Sequence, residues 1–285
     1  SSSMRSRPSG PVGRPPGAPG GGGCEAAKPA PASVSAAVKS VMPTAQVFTQ
    51  TRFWGGNGGN IAGRVDVLIA LADAGVRPEE IDLIVVGTCT PDMPLPSTAC
   101  FLQKKLGARN AFAMDLNAAC SGFLYSLSVA DALIRAGRGR KALVLGSEIL
   151  STVTDYTDRS TCILFGDGSG AVVLAECPEG EGILSCHLQS DGNLWELIHC
   201  PGGGTVNPLT PDLISRRMIY IRMQGNETFK HAVTKMADVA QKALAHNGYT
   251  VDDVALFIPH QANLRIVSAV GKRIGIRPDR VFVNL

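Results

Sequence analysis

Several things are scarce in this chain of 285 residues. Aromatic residues make up 5% and charged residues 18%, and there are five histidines. Eight cysteines are present, but no two have Cys-x-x-Cys spacing, so no metal site is expected. No apolar run is long enough to span a bilayer, and the N-terminal stretch has no apolar centre of the kind a secretory signal carries. A membrane partner is therefore not expected. The net charge of +3 is too mild for the strongly basic face of a nucleic-acid binder. The carboxylates are scattered, and none pair up for acid–base work on a sugar or phosphate. What is present is 45% hydrophobic residues, enough for one large domain or two ordinary ones with a sizeable core. Unpaired thiols without a secretory signal point to a reducing, cytoplasmic compartment.

The first sixty residues differ from the rest. "RSRPSGPVGRPPGAPGGGGCEAAKPAPAS" is rich in Pro, Gly, Ser and Arg and has one acid, Glu25. Such a segment buries too little apolar surface to offset its chain entropy. Three readings are open for residues 1–60: a low-complexity or disordered tail, a transit peptide for a plastid or other organelle, and a shifted reading frame ahead of the true start. "FWGGNGGN", residues 53–60, is a further Gly-rich break.

A regular pattern begins near residue 61. Ile61, Val65, Leu68, Ile69 and Ala72 recur at helical spacing, with Gly75 at the helix end. "IDLIVVGT" reads as a buried strand, and "STACFLQKKLG" as a short helix capped by Ser97. "AFAMDL" reads as a strand, "SGFLYSLSVADALIRAG" as a helix and "KALVLG" as a strand. This alternation predicts an α/β fold with a parallel sheet and helices on its faces. "TCILFGDGSGAVVLAE" reads as two apolar runs around a glycine turn, and "GILSCHLQSDG" as a strand. Residues 226–247 form the longest helix, with Phe229, Val233, Met236, Ala240 and Ala243 on one face. "ALFIPH", "NLRIVSAVGKRIG" and "VFVNL" then read as strand, helix and strand. Strand–turn–helix–strand thus occurs twice, once around Cys120 and once around His260, which suggests two related halves at 61–176 and 177–285.

Sites in such sheets form where the carboxyl end of a strand turns into a helix. Cys120 sits at one such turn, "DLNAACSG", among small neighbours that would let a substrate approach. The helix N-terminus offers unpaired N–H groups and partial positive charge, which favour the nucleophilic thiolate. The alternative is a small core hydrophobe, the usual fate of a free cysteine. His260 occupies the equivalent turn of the second unit, and a cysteine with a histidine in reach is a nucleophilic arrangement. "GDGSG", residues 166–170, lacks both the P-loop ending and dinucleotide spacing, so a tight turn is expected there. Lys230, Arg265, Lys272 and Arg273 form either a solvated face or a docking patch for an acidic partner.

Taken together, "DLNAACSGFLYSLSVADALIRAG", "TDRSTCILFGDGSGAVVL" and "FIPHQANLRIV" resemble β-ketoacyl-acyl-carrier-protein synthase III of the thiolase superfamily. The resemblance runs from about residue 70 to Leu285, with a small insertion near 209–220. It implies the thiolase fold, two similar α/β halves in a five-layer arrangement, in a homodimer. It implies an acyltransferase of fatty-acid synthesis that performs a decarboxylating Claisen condensation of an acyl-CoA starter with malonyl-acyl-carrier protein. Coenzyme A thioester is then a substrate, and no separate cofactor is implied. Cys120 would carry the acyl group, and its backbone N–H would supply part of the oxyanion hole. His260 would hydrogen-bond the malonyl thioester oxygen. Gln261, Ala262, Asn263, Leu264 and Arg265 match the family's carrier-protein segment, and Lys230, Arg265 and Lys272 its basic docking patch. Met223, Gly225 and Ala262 match positions along the pantetheine tunnel. Leu95 matches a residue that reaches into the partner's acyl pocket.

The sequence also departs from the family. A third catalytic residue, the Asn of a Gly-Asn-Thr motif, follows the strand that "VFVNL" matches, and Asn284 is not that residue. The family's first strand and its Trp/Arg loop for coenzyme A find no match in residues 1–60, where Trp54 and Arg52 are not substitutes. From the resemblance, the polypeptide taken alone is expected to be incomplete at both ends, to fold poorly and to be inactive. Two alternatives stand beside the synthase reading. One is a related superfamily synthase of secondary metabolism; the other is a non-catalytic interaction subunit, which would tend to lack the nucleophile.

Overall fold

The computed structural model describes residues 34–36, 63–178 and 181–285. The expectations for residues 1–60 lie outside this range, apart from a three-residue strand β1, Val34–Ala36. In chain order there follow helix α1 (Gly63–Ala74), strand β2 (Leu83–Gly87), α2 (Thr98–Leu106), β3 (Phe112–Leu116), α3 (Gly122–Arg135), β4 (Lys141–Ile149) and β5 (Asp167–Glu176). The sheet order is β1-β5-β4-β2-β3. Strands β3, β2 and β4 run parallel, while β5 lies antiparallel to β4 and β1 antiparallel to β5.

β2 lies between β4 and β3 and is buried along its whole length. Its side chains alternate between faces, as a strand requires. Ile84 and Val86, with Leu143 and Leu145 of β4, pack under α1 and α2. Leu83 and Val85, with Ala142 and Val144, pack under α3. Burying each such side chain is worth roughly 1.5–3 kcal/mol, so this strand anchors both layers. The predicted sheet covered by helices is therefore present, but it is mixed: only β3, β2 and β4 run parallel, and β5 and β1 are antiparallel. On α1 the buried residues are Val67 and Leu71, with Ala70 and Ala74 beside them. Leu68 and Ile69 were expected on the core face; they are 47% and 42% exposed, because the stripe that meets the sheet is rotated away from them. The side chains of Ile61 and Val65 lie outside the described residues. Gly75 ends α1 at φ 62°, as expected.

Three other expectations change. Ser97 precedes α2 but makes no capping bond; the Asp115 carboxylate of β3 accepts from Thr98 N at 2.7 Å and Ala99 N at 2.8 Å instead. A charged acceptor from the neighbouring strand satisfies the helix end better than the local hydroxyl. "GDGSG" is not a turn between two strands: from Asp167 onward it is the start of β5, paired with the end of β4 from Ile149↔Asp167 through Gly146↔Gly170. "GILSCHLQSDG" forms no ladder among the described residues. Its chain is drawn into side-chain contacts instead, with Ile183 against the α3 face of the core and Ser185 Oγ accepting from Asn247 Nδ2 at 2.7 Å.

The later part holds a two-stranded sheet, β6 (Ile198–His199) with β7 (Arg222–Met223), and helices α4 (Pro211–Ser215), α5 (Gly225–His246) and α6 (Leu264–Ile274). Phe229, Val233, Met236, Ala237 and Ala240 of α5 pack on Ile266, Val270 and Ile274 of α6. The expected strands at "ALFIPH" and "VFVNL" are reduced to one parallel bridge, Phe257↔Val281. Phe257 N donates to Arg280 O at 2.8 Å and Phe282 N to Phe257 O at 2.9 Å. The backbones therefore run side by side, but the pairing is too short to count as a ladder. Among the described residues no helix is long and apolar enough to cross a membrane.

Candidate active site

The carboxyl ends of β2, β3 and β4 converge on the turn that carries Cys120. β3 ends at Leu116, and Ala119–Ser121 form a tight helical turn that leads into α3. Ala119, just before the cysteine, has φ 45°, a left-handed conformation that costs an L-residue roughly 1–2 kcal/mol. Strain of this kind at a strand-to-helix turn points to a functional position. Asn117 Oδ1 accepts from Ala119 N at 3.3 Å and helps hold the turn. The turn also sits close to β2. A Cβ on Gly87 would lie 2.5 Å from the carbonyl carbon of Gly122, so glycine there is what allows α3 to start so near the strand.

Cys120 is exposed as a residue, yet protein crowds its sulfur. Burial first, then the Glu148 carboxylate, pushes its thiol up, while a hydrogen bond from its own backbone N–H acts the other way. The expected preference for thiolate at the helix N-terminus is thus opposed by a charge the sequence reading did not place there. His260 is also exposed, follows the buried Pro259, and leads into α6 across the "HQAN" turn. Burial by surrounding protein pushes its imidazole down, which keeps it neutral at neutral pH. Among the described residues no hydrogen bond joins Cys120 to His260.

The residues after His260 have structural duties. Gln261 Nε2 donates to Pro259 O at 2.8 Å and to Phe282 O at 3.2 Å, and Gln261 Oε1 accepts from Asn284 N at 3.1 Å. This side chain braces the turn against the last residues of the chain. Ala262 packs on the α5–α6 core. Asn263 caps α6, its Oδ1 accepting from Ile266 N at 3.0 Å. Leu264 is 58% exposed. Arg265 lies over the Phe229 ring at 5.6 Å, next to Lys230, which is paired with Glu227 at 2.7 Å. Arg265 and Lys272 are seven residues apart and share a face of α6. The basic positions expected for a carrier protein are therefore brought to one side of the α5–α6 pair. Met223 ends β7, and its terminal methyl lies 3.7 Å from where a Cβ on Gly225, at the start of α5, would sit. Leu95 is 79% exposed, on the segment between β2 and α2. An open cleft of about 390 Å³ borders that segment and β3, lined by Thr88, Met93, Pro94, Met114 and Asn117 among others. It touches the cysteine turn through Asn117 rather than through the thiol.

Sequence reasoning missed Glu148 and the Thr88–Thr90 segment. Thr90 Oγ1 donates to Glu148 Oε2 at 2.6 Å and Cys89 N to Glu148 Oε1 at 2.8 Å. The available signal was a single carboxylate closing an apolar strand at its carboxyl end, "ALVLGSE", where α/β sheets place their sites.

This constellation defines a class: an α/β protein with a strained cysteine turn in one unit and a histidine turn in the next. Comparison narrows the class. The family model for 3-oxoacyl-[acyl-carrier-protein] synthase III matches residues 114–192, and the model for its C-terminal part matches residues 244–285. A β-ketoacyl-[acyl-carrier-protein] synthase III of Roseiflexus castenholzii is 50% identical over 216 residues, covering 76% of this chain and 66% of that protein. One of Natranaerobius thermophilus is 48% identical over 220 residues, covering 76% and 67%. The crystal structure of a 3-oxoacyl-(acyl carrier protein) synthase III of Pseudomonas aeruginosa PAO1 matches with TM-score 0.71 and 37% identity, over 80% of this chain and 69% of that one. That of Aquifex aeolicus VF5 matches with TM-score 0.69 and 43% identity, over 75% and 65%. The chain belongs to the 3-oxoacyl-[acyl-carrier-protein] synthase III family and has its α/β thiolase-like fold. It spans about two thirds of the length of the curated relatives it matches.

Proposed function

We propose that the protein containing this chain is the initiating condensing enzyme of fatty-acid synthesis, joining an acyl-CoA starter to malonyl-acyl-carrier protein with loss of carbon dioxide. The observation that carries this reading is Cys120 on a strained turn at the carboxyl end of β3, in a family whose relatives bear the synthase name. The Cys120 thiolate attacks the carbonyl of the acyl-CoA. A C–S bond to the enzyme forms, the C–S bond to coenzyme A breaks, and coenzyme A leaves as a thiolate that takes up a proton. Malonyl-acyl-carrier protein then loses carbon dioxide, and the resulting enolate attacks the enzyme thioester: a C–C bond forms, the C–S bond to Cys120 breaks, and Cys120 leaves as a thiolate that takes up a proton. A neutral His260 suits the second step, because its ring N–H can donate to the thioester oxygen on which charge develops.

Coenzyme A enters as a thioester substrate, and no separate cofactor is required. Exposed Arg265 and Lys272 on one face of α6, beside Lys230, suit an acidic carrier protein. Leu264 adds an exposed apolar contact there, and Met223 and Gly225 lie at the start of α5 where a pantetheine arm would pass. The outer edge of β3, unpaired among the described residues, and the exposed Leu95 suit a homodimer in which Leu95 reaches a partner. A cytoplasmic location follows from this pathway.

The test is in two parts. Incubating the protein that contains this chain with acyl-CoA should add the acyl mass to the peptide that holds Cys120, and C120S should abolish the gain. Release of carbon dioxide from malonyl-acyl-carrier protein should fall by about 10²-fold or more in H260A. A folded protein containing this chain whose Cys120 stays unacylated at saturating acyl-CoA would sink the reading.

A further inference from the structure

A second thiol stands beside the cysteine turn. Cys89 follows β2 on the segment that faces the end of β4. Three consecutive residues of that segment converge on the Glu148 carboxylate. Thr90 Oγ1 donates at 2.6 Å, Cys89 N at 2.8 Å, and Cys89 Sγ and Thr88 Oγ1 each at 3.4 Å. Thr90 Oγ1 also accepts from Ile149 N at 2.8 Å. The carboxylate thus ties the ends of two neighbouring strands together on the side where Cys120 lies.

The same carboxylate acts unequally on the two sulfurs. Cys89 is half-buried and gives its S–H to Glu148, whereas Cys120 feels Glu148 only through space. Burial, then the charge and hydrogen bond of Glu148, push the Cys89 thiol up to about 12, and a charge on Cys120 opposes a thiolate at Cys89 as well. Attack on a thioester requires the sulfur to lose its proton. A thiol buried against a carboxylate is the poorer candidate, since a thiolate there would face a like charge at hydrogen-bond distance.

We propose that Glu148 is a positioning residue that sorts the two thiols: it fixes the 88–90 segment and holds the Cys89 sulfur as a hydrogen-bond donor, leaving Cys120 to take the acyl group. This rests on the reading of Cys120 as the acylated sulfur.

Iodoacetamide in limiting amount tests it on the whole chain, with peptide mapping by mass spectrometry. The thiolate sulfur displaces iodide, so one C–S bond forms as the C–I bond breaks and the label reports thiolate. Native wild-type protein is expected to label Cys89 at least about tenfold more slowly than the same chain in concentrated urea, in line with a thiol shifted by more than one unit. In C120S, Cys89 should remain as slow, since Glu148 is still present. In E148Q, Cys89 should label faster than in native wild type, though still short of its rate in urea because burial remains, and in E148Q/C89S the label at position 89 should vanish. Cys89 that labels at the unfolded rate in native wild type or C120S overturns the proposal. So does Cys89 that labels no faster in E148Q than in native wild type while the variant keeps native circular dichroism. If E148Q does not fold, wild type and C120S decide. A failure of Cys120 to take acyl groups from acyl-CoA would sink the functional reading and leave the Cys89 pattern where it is.

Discussion

At the scale of the residue, His260 has the clearest signature outside the thiols. Burial lowers its imidazole in the folded chain relative to the unfolded one. Between the two values the unfolded state binds the proton more readily. The contribution to stability is therefore fully present above the unfolded value of about 6.5 and is lost as pH falls through the folded value. Urea midpoints of wild type and H260N should run parallel above about pH 7 and close on each other below about 6.5. Curves parallel throughout would deny that the ring is held neutral. Asp155 acts in a separate window. Arg217 donates to it from Nε at 2.6 Å and again from Nη2, and Thr157 donates from Oγ1, which holds its carboxyl below the usual carboxylate range. Its share persists above the unfolded carboxylate value and disappears only in stronger acid. The turn at Cys120 was legible in the sequence because it joins β3 directly to the helix that follows, whereas the strand expected before His260 is reduced to the single bridge Phe257↔Val281. Glu148 was not legible, because its partners Thr88, Cys89 and Thr90 are brought to it by the pairing of β2 with β4.

At the scale of the element, helix α2 shows why local reading falls short. Ser97 stands where a cap belongs, but Asp115 of β3 does the capping. D115A should therefore destabilise the chain by about 1–2 kcal/mol, while S97A should change it by a few tenths. Thermal or urea melts of the two variants check the order, and equal losses would return the cap to Ser97. The same lesson covers "GDGSG". A glycine cluster usually marks a turn, but Gly168 and Gly170 lie inside β5 opposite Glu148 and Gly146 of β4. Strand pairing with β4 overrides the local turn preference there. Periodicity did find α5 and α6, whose apolar stripes lie on each other, because both are long enough for a repeat of 3.6 to show.

At the scale of the whole molecule, alternation of strands and helices was enough to predict a parallel sheet with helices on both faces. The sequence did not reveal that β5 turns antiparallel, nor that the later extended segments meet in a single bridge, Phe257↔Val281. Both depend on which segments come to lie side by side, and no local period records that. One feature of the sheet also bears on the order in which the chain assembles. The antiparallel ladder of β4 and β5 closes from Ile149↔Asp167 across a short connection, whereas Leu83 of β2 must find Ala142 across a much longer one. Each doubling of loop length costs about 0.6 kcal/mol before any contact repays it, so the β4–β5 ladder zips first. Pulse-labelled amides at Ala171–Leu174 should then gain protection ahead of those at Ile84–Val86; the reverse order would refute the sequence of events. The ladder starts next to Glu148. The carboxylate is in place while β2 is still searching, and the incoming strand docks onto a landing point already built.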